Sequence, residues 1–138
     1  MGLVWREQLS TGNDVIDSDH KHLIEIINLV EQSLETQNRS NLTLALDSLS
    51  QYSKAHFARE EKIASAAGYP RVAHLHKSHH ALLVKLEQFK QEIGEEWTAS
   101  AVEHFTGLLR DWLFDHVIKE DLLMKPFLKK HSPKFNPL

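Results

Sequence analysis

The chain has 138 residues, of which 41% are hydrophobic and 25% charged, and this composition fits one globular domain, residues 1–138. The net charge of −3 argues against a nucleic-acid-binding surface, and no apolar run is long enough to cross a membrane. The lack of cysteine excludes disulfides, iron–sulfur clusters and thiolate zinc sites, so we expect a cytoplasmic protein. Ten histidines are the compositional outlier.

The N-terminal segment, residues 1–15, is predicted to be an arm, because a few apolar residues are followed there by a turn-like run from Ser10 to Asp14. The first helix is predicted to begin near Asp17 or Ser18, either of which can cap it. One face of this helix has apolar residues at helical spacing and includes a histidine. The face consists of Ile16, His20, Leu23, Ile24, Ile27, Val30 and Leu34.

A second helix follows the polar turn at residues 36–40 and ends at Gly68, a residue typical of helix C-termini. Its inner face carries a histidine and a glutamate four residues apart, so both side chains lie on one side of the helix. The face consists of Leu42, Leu46, Leu49, Tyr52, His56, Glu60 and Ile63.

The third helix is predicted to open at Pro70, where a missing N–H costs little, and to end at the break of residues 94–96. It carries His76 and His80 four residues apart. His79, three residues after His76, competes with His80 as the second ligand of this helix. Spacing of four brings the two imidazole rings together on one side of the helix better than spacing of three, so His80 is preferred. The predicted inner face consists of Val72, His76, His80, Leu83, Leu86, Phe89 and Ile93.

The fourth helix is predicted to start at a capping box formed by Ser100 and Glu103, and the tail, residues 131–138, should leave it. Four amphipathic helices joined by short turns predict an all-α, up-down-up-down four-helix bundle. The inner face of the fourth helix consists of Val102, Phe105, Leu109, Trp112 and His116.

Six metal-ligand side chains are predicted to share one level of this bundle. A rise of about 1.5 Å per residue places them within about one helical turn of each other, near one end. A buried carboxylate on an inner face must be paired or metal-bound, and no lysine or arginine lies on these faces near that level. The six are His20, His56, Glu60, His76, His80 and His116.

Asp121, a seventh candidate ligand by residue type, lies near the end of the fourth helix and fits this level less easily. Glu120 lies four residues after His116 and is the choice on a regular helix, whereas Asp121 turns inward only if a π-bulge or break follows His116. Spacing leaves the two about even. Five imidazoles with two carboxylates exceed the needs of one ion, so the set predicts two metals, and these donors suit iron, zinc, copper or nickel.

Several segments in combination resemble the hemerythrin family, specifically its single-domain bacterial members, the bacteriohemerythrins, over nearly the whole chain. They are the arm with Trp5, IDSDHKHLIEIIN around His20, HFAREE around His56, GYP followed by HKSHH, and DWLFDHVIKED around His116.

The resemblance implies a non-haem centre of two iron ions joined by an oxo or hydroxo bridge. His76, His80 and His116 would hold one iron. His20 and His56 would hold the other, which keeps an open position for O₂.

The resemblance also implies that Glu60 and Asp121 bridge the two irons, and it thereby selects Asp121 over Glu120. Many relatives carry an aromatic residue about one turn after this aspartate, whereas here residues 122–124 are Leu-Leu-Met. An apolar oxygen pocket would be formed by Leu23, Phe57, Trp112, Leu113 and Val117.

The implied function is reversible O₂ binding for transport, storage, delivery or sensing by a monomer without enzymatic turnover. Two carboxylates bring less negative charge than the four of ferritin-like di-iron enzymes, which favours oxygen binding over oxygen activation. The alternative is a di-iron enzyme that handles peroxide, O₂ or nitric oxide. A sensing role would require a protein partner that acts in trans.

Overall fold

Four long helices form an all-α bundle in the computed structural model, which describes residues 2–94 and 97–138 apart from the side chain of His116. No strand occurs within these described ranges, and the predicted four-helix bundle is confirmed. No helix in the described part of the chain is long and apolar enough to span a membrane. The helices are α1 (Asp14–Glu35), α2 (Arg39–Ala66), α3 (Val72–Glu92) and α4 (Ala99–Asp111).

The helix that begins as α4 changes its geometry before it ends. Residues Trp112–Ile118 form a π-helix, and the backbone N–H of Lys119 bonds to the carbonyl of Phe114, five residues earlier. The chain then returns to α-helix at Lys119–Asp121, and short helical turns follow as far as Leu128. This irregularity is of the kind predicted near His116, although it begins before that residue.

Two helices start earlier than predicted because other residues cap them. Asn13 accepts hydrogen bonds from two backbone N–H groups in the first turn of α1, at 3.0 and 3.1 Å. Thr98 accepts one from the first turn of α4 at 3.1 Å. Both have an extended backbone, which is the conformation of an N-cap residue. The predicted starts at Asp17 or Ser18 and at Ser100 are therefore corrected.

The turn between α2 and α3 follows the predicted C-terminal pattern. Gly68 has a φ of 80°, and the N–H of Tyr69 bonds to the carbonyl of Ala64 at 3.0 Å. This left-handed glycine satisfies the last carbonyls of α2. Pro70 lies in the turn, and α3 begins at Val72, so the predicted opening at Pro70 is two residues early.

A buried indole ties the connection between α3 and α4 to the end of α1 through a hydrogen bond. Trp97 is 7% exposed, and its Nε1–H donates to the carbonyl of Leu34 at the end of α1, at 2.8 Å. Glu95 and Glu96, part of the predicted break, lie outside the described residues.

Replacing Trp97 with phenylalanine is expected to lower the free energy of unfolding by about 1 kcal/mol, because the ring stays buried while its hydrogen bond is lost. Urea denaturation measures the loss. Trp5→Phe is the matched control, since the indole N–H of Trp5 has no hydrogen-bond partner among the described residues. Equal effects of the two changes would contradict the role given to this hydrogen bond.

Two apolar clusters fill the bundle, and a polar layer separates them along the helices. The main cluster includes Leu23 of α1 and Phe57 of α2, and the end cluster includes Ile16 and Ile63 of the same helices. The C-terminal tail closes the end cluster, because the N–H of Asp14 bonds to the carbonyl of residue 133 at 2.8 Å. Because the polar side chains between the clusters are buried, they must form hydrogen bonds or ion pairs with one another.

Candidate metal centre

Four side chains of the polar layer bring their ligand atoms within 4.8 Å of one another. His20 comes from α1, His56 and Glu60 come from α2, and Asp121 follows the π-helix. Each is at most 1% exposed. The structure therefore places two imidazoles and two carboxylates together, out of contact with solvent.

Within this cluster each histidine faces one carboxylate closely. The Nε2 of His20 lies 2.7 Å from Oδ2 of Asp121, and the Nε2 of His56 lies 2.8 Å from Oε2 of Glu60. The crossed distances are longer, 3.8 Å from His20 to Glu60 and 3.7 Å from His56 to Asp121. Four possible ligand atoms thus surround one small volume.

The π-helix accounts for the inward position of Asp121. In a π-helix, backbone hydrogen bonds join residues five apart, so a residue five positions after another returns to nearly the same face. Asp121 is 1% exposed, whereas Glu120 is partly exposed and accepts a hydrogen bond from Ser78 at 2.5 Å. Of the two carboxylates that spacing left open, Asp121 enters the cluster.

Asp19 holds the ring of His56 in place from the side away from the cluster. Its Oδ2 lies 2.9 Å from His56 Nδ1, and the carboxylate also accepts hydrogen bonds from Tyr52 at 2.7 Å and from the guanidinium of Arg59 at 2.8 and 2.9 Å. Burial by itself would raise the pKa of Asp19, but these bonds outweigh it and hold the pKa far below its ordinary value. An ionised Asp19 fixes the proton of His56 on Nδ1.

The pKa values of the two carboxylates of the cluster shift in opposite directions. Burial, followed by the charge of Glu60, raises the pKa of Asp121 to about 7. Burial also opposes ionisation of Glu60, but the charge of His56 and hydrogen bonds within the cluster hold the pKa of Glu60 well below its usual range. For His56, the penalty of burial is outweighed by Glu60 and the other carboxylates, which raise its pKa well above the ordinary value.

These atoms fit a metal ion. With the His56 proton on Nδ1, Nε2 directs a lone pair toward Oε2 of Glu60 only 2.8 Å away, so two acceptors face each other unless a cation lies between them. Both atoms are buried without a hydrogen-bond partner among the side chains that the structure describes, as is Oδ1 of Asp121. The cation is a proton in the metal-free chain, and imidazole with carboxylate is a donor set that suits iron.

The histidines of α3 lie differently from the prediction. His79 is 3% exposed, whereas the side chain of His76 is 72% exposed and His80 is exposed as well. The structure thus brings neither His76 nor His80 to the four-residue cluster. The predicted ligand His116 lies in the π-helix, and its side chain is outside the described part of the chain.

Burial of apolar surface explains the orientation of α3. The face that points inward alternates spacings of four and three residues, which keeps it on one side of the helix. Apart from His79 this face is entirely apolar, whereas the predicted face contained two histidines. The inward residues are Leu75, His79, Leu82, Leu86, Phe89 and Ile93.

The predicted pocket residues are all buried in the main apolar cluster beside the metal site. The ring centroids of Phe57 and His56 are 5.6 Å apart, and those of Phe57 and Trp112 are 6.5 Å apart. Their role in oxygen binding stays a prediction. The residues are Leu23, Phe57, Trp112, Leu113 and Val117, each at most 2% exposed.

Three charged residues of the site were missed by sequence reasoning: Asp19, Arg59 and Glu61. Each is directly adjacent in sequence to a predicted ligand, His20 or Glu60, and adjacency on a helix normally separates two side chains by about 100°. Asp19 and Arg59 nevertheless meet at the boundary between α1 and α2. The available signal was an aspartate at a near-buried helix position together with an arginine on the facing helix.

Three kinds of comparison with known proteins find the same family, and each match covers most of the chain. The family model described as the hemerythrin HHE cation binding domain matches residues 11–128. The bacteriohemerythrin of Pseudomonas paraeruginosa is 31% identical, over 86% of this chain and 76% of its own length. That of Methylococcus capsulatus is also 31% identical, over 88% and 92%. A crystal structure of a hemerythrin mutant superimposes with a TM-score of 0.79 at 27% identity, covering 93% of this chain and 98% of that one.

Proposed function

This chain belongs to the hemerythrin family and binds O₂ at a non-haem di-iron centre, and we propose that the binding is reversible and serves to carry, store or deliver oxygen. The observation that supports this most strongly is the buried cluster of two imidazoles and two carboxylates, whose ligand atoms lie within 4.8 Å of one another. Among the described residues, Nε2 of His56, Oε2 of Glu60 and Oδ1 of Asp121 are buried there without a hydrogen-bond partner.

The proposed iron ligands are His20, His56, Glu60 and Asp121, which the cluster unites. His116 is proposed from the family resemblance. The assignment of His76 and His80 from the same resemblance stays a prediction, because both side chains are exposed.

The irons, when bound, supply the electrons with which O₂ is held. The protein contributes orientation and exclusion of water. Asp19 fixes the tautomer of His56, so that Nε2 faces the centre. The apolar wall formed by Phe57 and Trp112 keeps bulk water from the site.

The test is an oxygenation cycle on chain that has been reduced without air and whose iron has been quantified. We expect two irons per chain and visible charge-transfer bands that appear with O₂ and vanish when O₂ is removed. The chain loaded with zinc is the control, since Zn²⁺ has no redox chemistry. One metal per chain, or no spectral response, would overturn the proposal.

The same sample distinguishes a carrier from an enzyme. A carrier releases the O₂ that it binds, whereas an enzyme consumes O₂, peroxide or nitric oxide at a steady rate above that of autoxidation. Cytoplasmic location and a monomeric state stay predictions, which cell fractionation and light scattering test.

A further inference from the structure

The orientation of α3 gives the buried centre one histidine that the predicted ligand set does not contain. His79 is 3% exposed and lies on the inner face, in the polar layer between the apolar clusters. The side chain of His76 is 72% exposed. One turn before His79 the same face carries Leu75, which is 1% exposed and belongs to the end cluster.

The ring of His79 is fixed on three sides. Its Nε2 lies 3.0 Å from Oε1 of Glu60, and its Nδ1 lies 3.0 Å from Oε2 of Glu61. The ring is stacked on Phe57, with centroids 4.0 Å apart and planes inclined by 9°. His79 therefore links the buried carboxylate of the centre to a carboxylate nearer the surface.

This arrangement repeats the one around His56. Each imidazole presents Nε2 to a different oxygen of Glu60, His56 to Oε2 and His79 to Oε1. Each is held at Nδ1 by another carboxylate, Asp19 for His56 and Glu61 for His79. Metal-bound histidines are commonly oriented in this way, by a carboxylate on the ring nitrogen away from the metal.

We propose that His79 is the ligand that α3 supplies to the second iron, with Glu61 orienting its ring. The inference rests on the proposed di-iron function and replaces the pair His76 and His80. His76, whose side chain is 72% exposed, has its Nδ1 2.5 Å from Oε1 of Glu61, whereas His79 contacts the other oxygen of that carboxylate.

The chemistry of Glu60 agrees with this assignment. A carboxylate has two oxygens and could therefore serve two metal ions. The two oxygens of Glu60 each face one imidazole Nε2, so a cation beside either oxygen has a nitrogen donor at hand. Because Leu75 occupies the position one turn earlier, the inner face of α3 has a single imidazole.

Iron content of three variants tests the assignment. Glutamine replaces each histidine in turn, because its amide keeps a hydrogen bond to the neighbouring carboxylate while it is a poor ligand for iron. We expect His79→Gln to retain about one iron per chain under conditions in which the unmodified chain retains two. The matched controls His76→Gln and His80→Gln should retain two. Circular dichroism of the metal-free variants checks that each one folds.

A second measurement uses the unmodified chain and does not depend on any variant. In ¹⁵N-histidine-labelled chain titrated with Zn²⁺, the Nε2 resonance of His79 should shift together with those of His20 and His56, while the ring nitrogens of His76 and His80 keep their positions. Two irons in His79→Gln, or metal-dependent shifts at His76 and His80 with none at His79, would overturn the inference alone. Absence of iron from the unmodified chain would instead overturn the proposed function.

Discussion

Replacing His56 with alanine is expected to abolish iron binding and, with it, the visible response to O₂. His56 is fully buried, and its Nε2 lies 2.8 Å from Glu60 and 3.7 Å from Asp121. This nitrogen is therefore close to both carboxylates of the cluster. Without it, the buried carboxylates keep only His20 as a nitrogen donor from the facing helices α1 and α2. Iron per chain after anaerobic loading, measured together with the oxygenated spectrum, gives the result.

Loss of iron from His56→Ala could also follow from loss of the fold, so two further variants accompany it. His56→Gln keeps most of the side-chain volume and a hydrogen bond to Asp19, and it should fold but still lose iron. His104→Ala removes an exposed histidine from α4 and should change nothing. Full iron content and oxygen binding in a folded His56→Ala chain would show that the ligand assignment is wrong.

The second large effect is expected from Asp19→Asn, which leaves every proposed ligand in place. The amide cannot provide the charge that holds Nδ1 of His56 and the guanidinium of Arg59, so iron affinity should fall by about 10- to 100-fold. Competition with a chelator measures the affinity. Glu31→Gln is the matched control, because Glu31 is a buried carboxylate that pairs with Arg110 at 2.8 and 3.0 Å away from the cluster. If both variants lost affinity equally, Asp19 would have no specific role.

Asp19→Asn also changes the response of the metal-free chain to acid. The folded pKa of Asp19 lies below its ordinary value of 3.8, so its contribution to stability is fully present above that value and is lost as the pH falls through the folded pKa. Between about pH 4 and pH 2, the free energy of unfolding should therefore fall less steeply in Asp19→Asn than in the unmodified chain. Parallel slopes would mean that the fold does not lower the pKa of Asp19.

Sequence reasoning predicted the level of the site better than the direction of its side chains. An error of one residue moves a side chain only about 1.5 Å along a helix, but it turns that side chain about 100° around the axis. His20, His56 and Glu60 were placed on faces defined by many leucines and isoleucines, and all three are in the cluster. On α3 two faces competed, and the more apolar one, which contains His79, points inward.

The entry of Asp121 could not be derived from spacing because it depends on a local change in helix geometry. Regular α-helix favours Glu120, and the π-helix of residues 112–118 favours Asp121. Nothing in the local composition distinguishes seven residues of π-helix from α-helix. The family resemblance supplied the choice.

The proposed ligands are far apart along the chain, so the iron site forms only in the folded protein. His20 and Asp121 are 101 residues apart in sequence and meet only when the first and last helices have packed together. An unfolded chain therefore has no comparable site, and free iron at 100 times its dissociation constant would stabilise the folded state by about 2.7 kcal/mol. The melting temperature should then rise with the supply of iron. A cell that runs short of the metal would hold this protein closer to unfolding and to proteolysis, so that its abundance follows iron availability without any dedicated regulator.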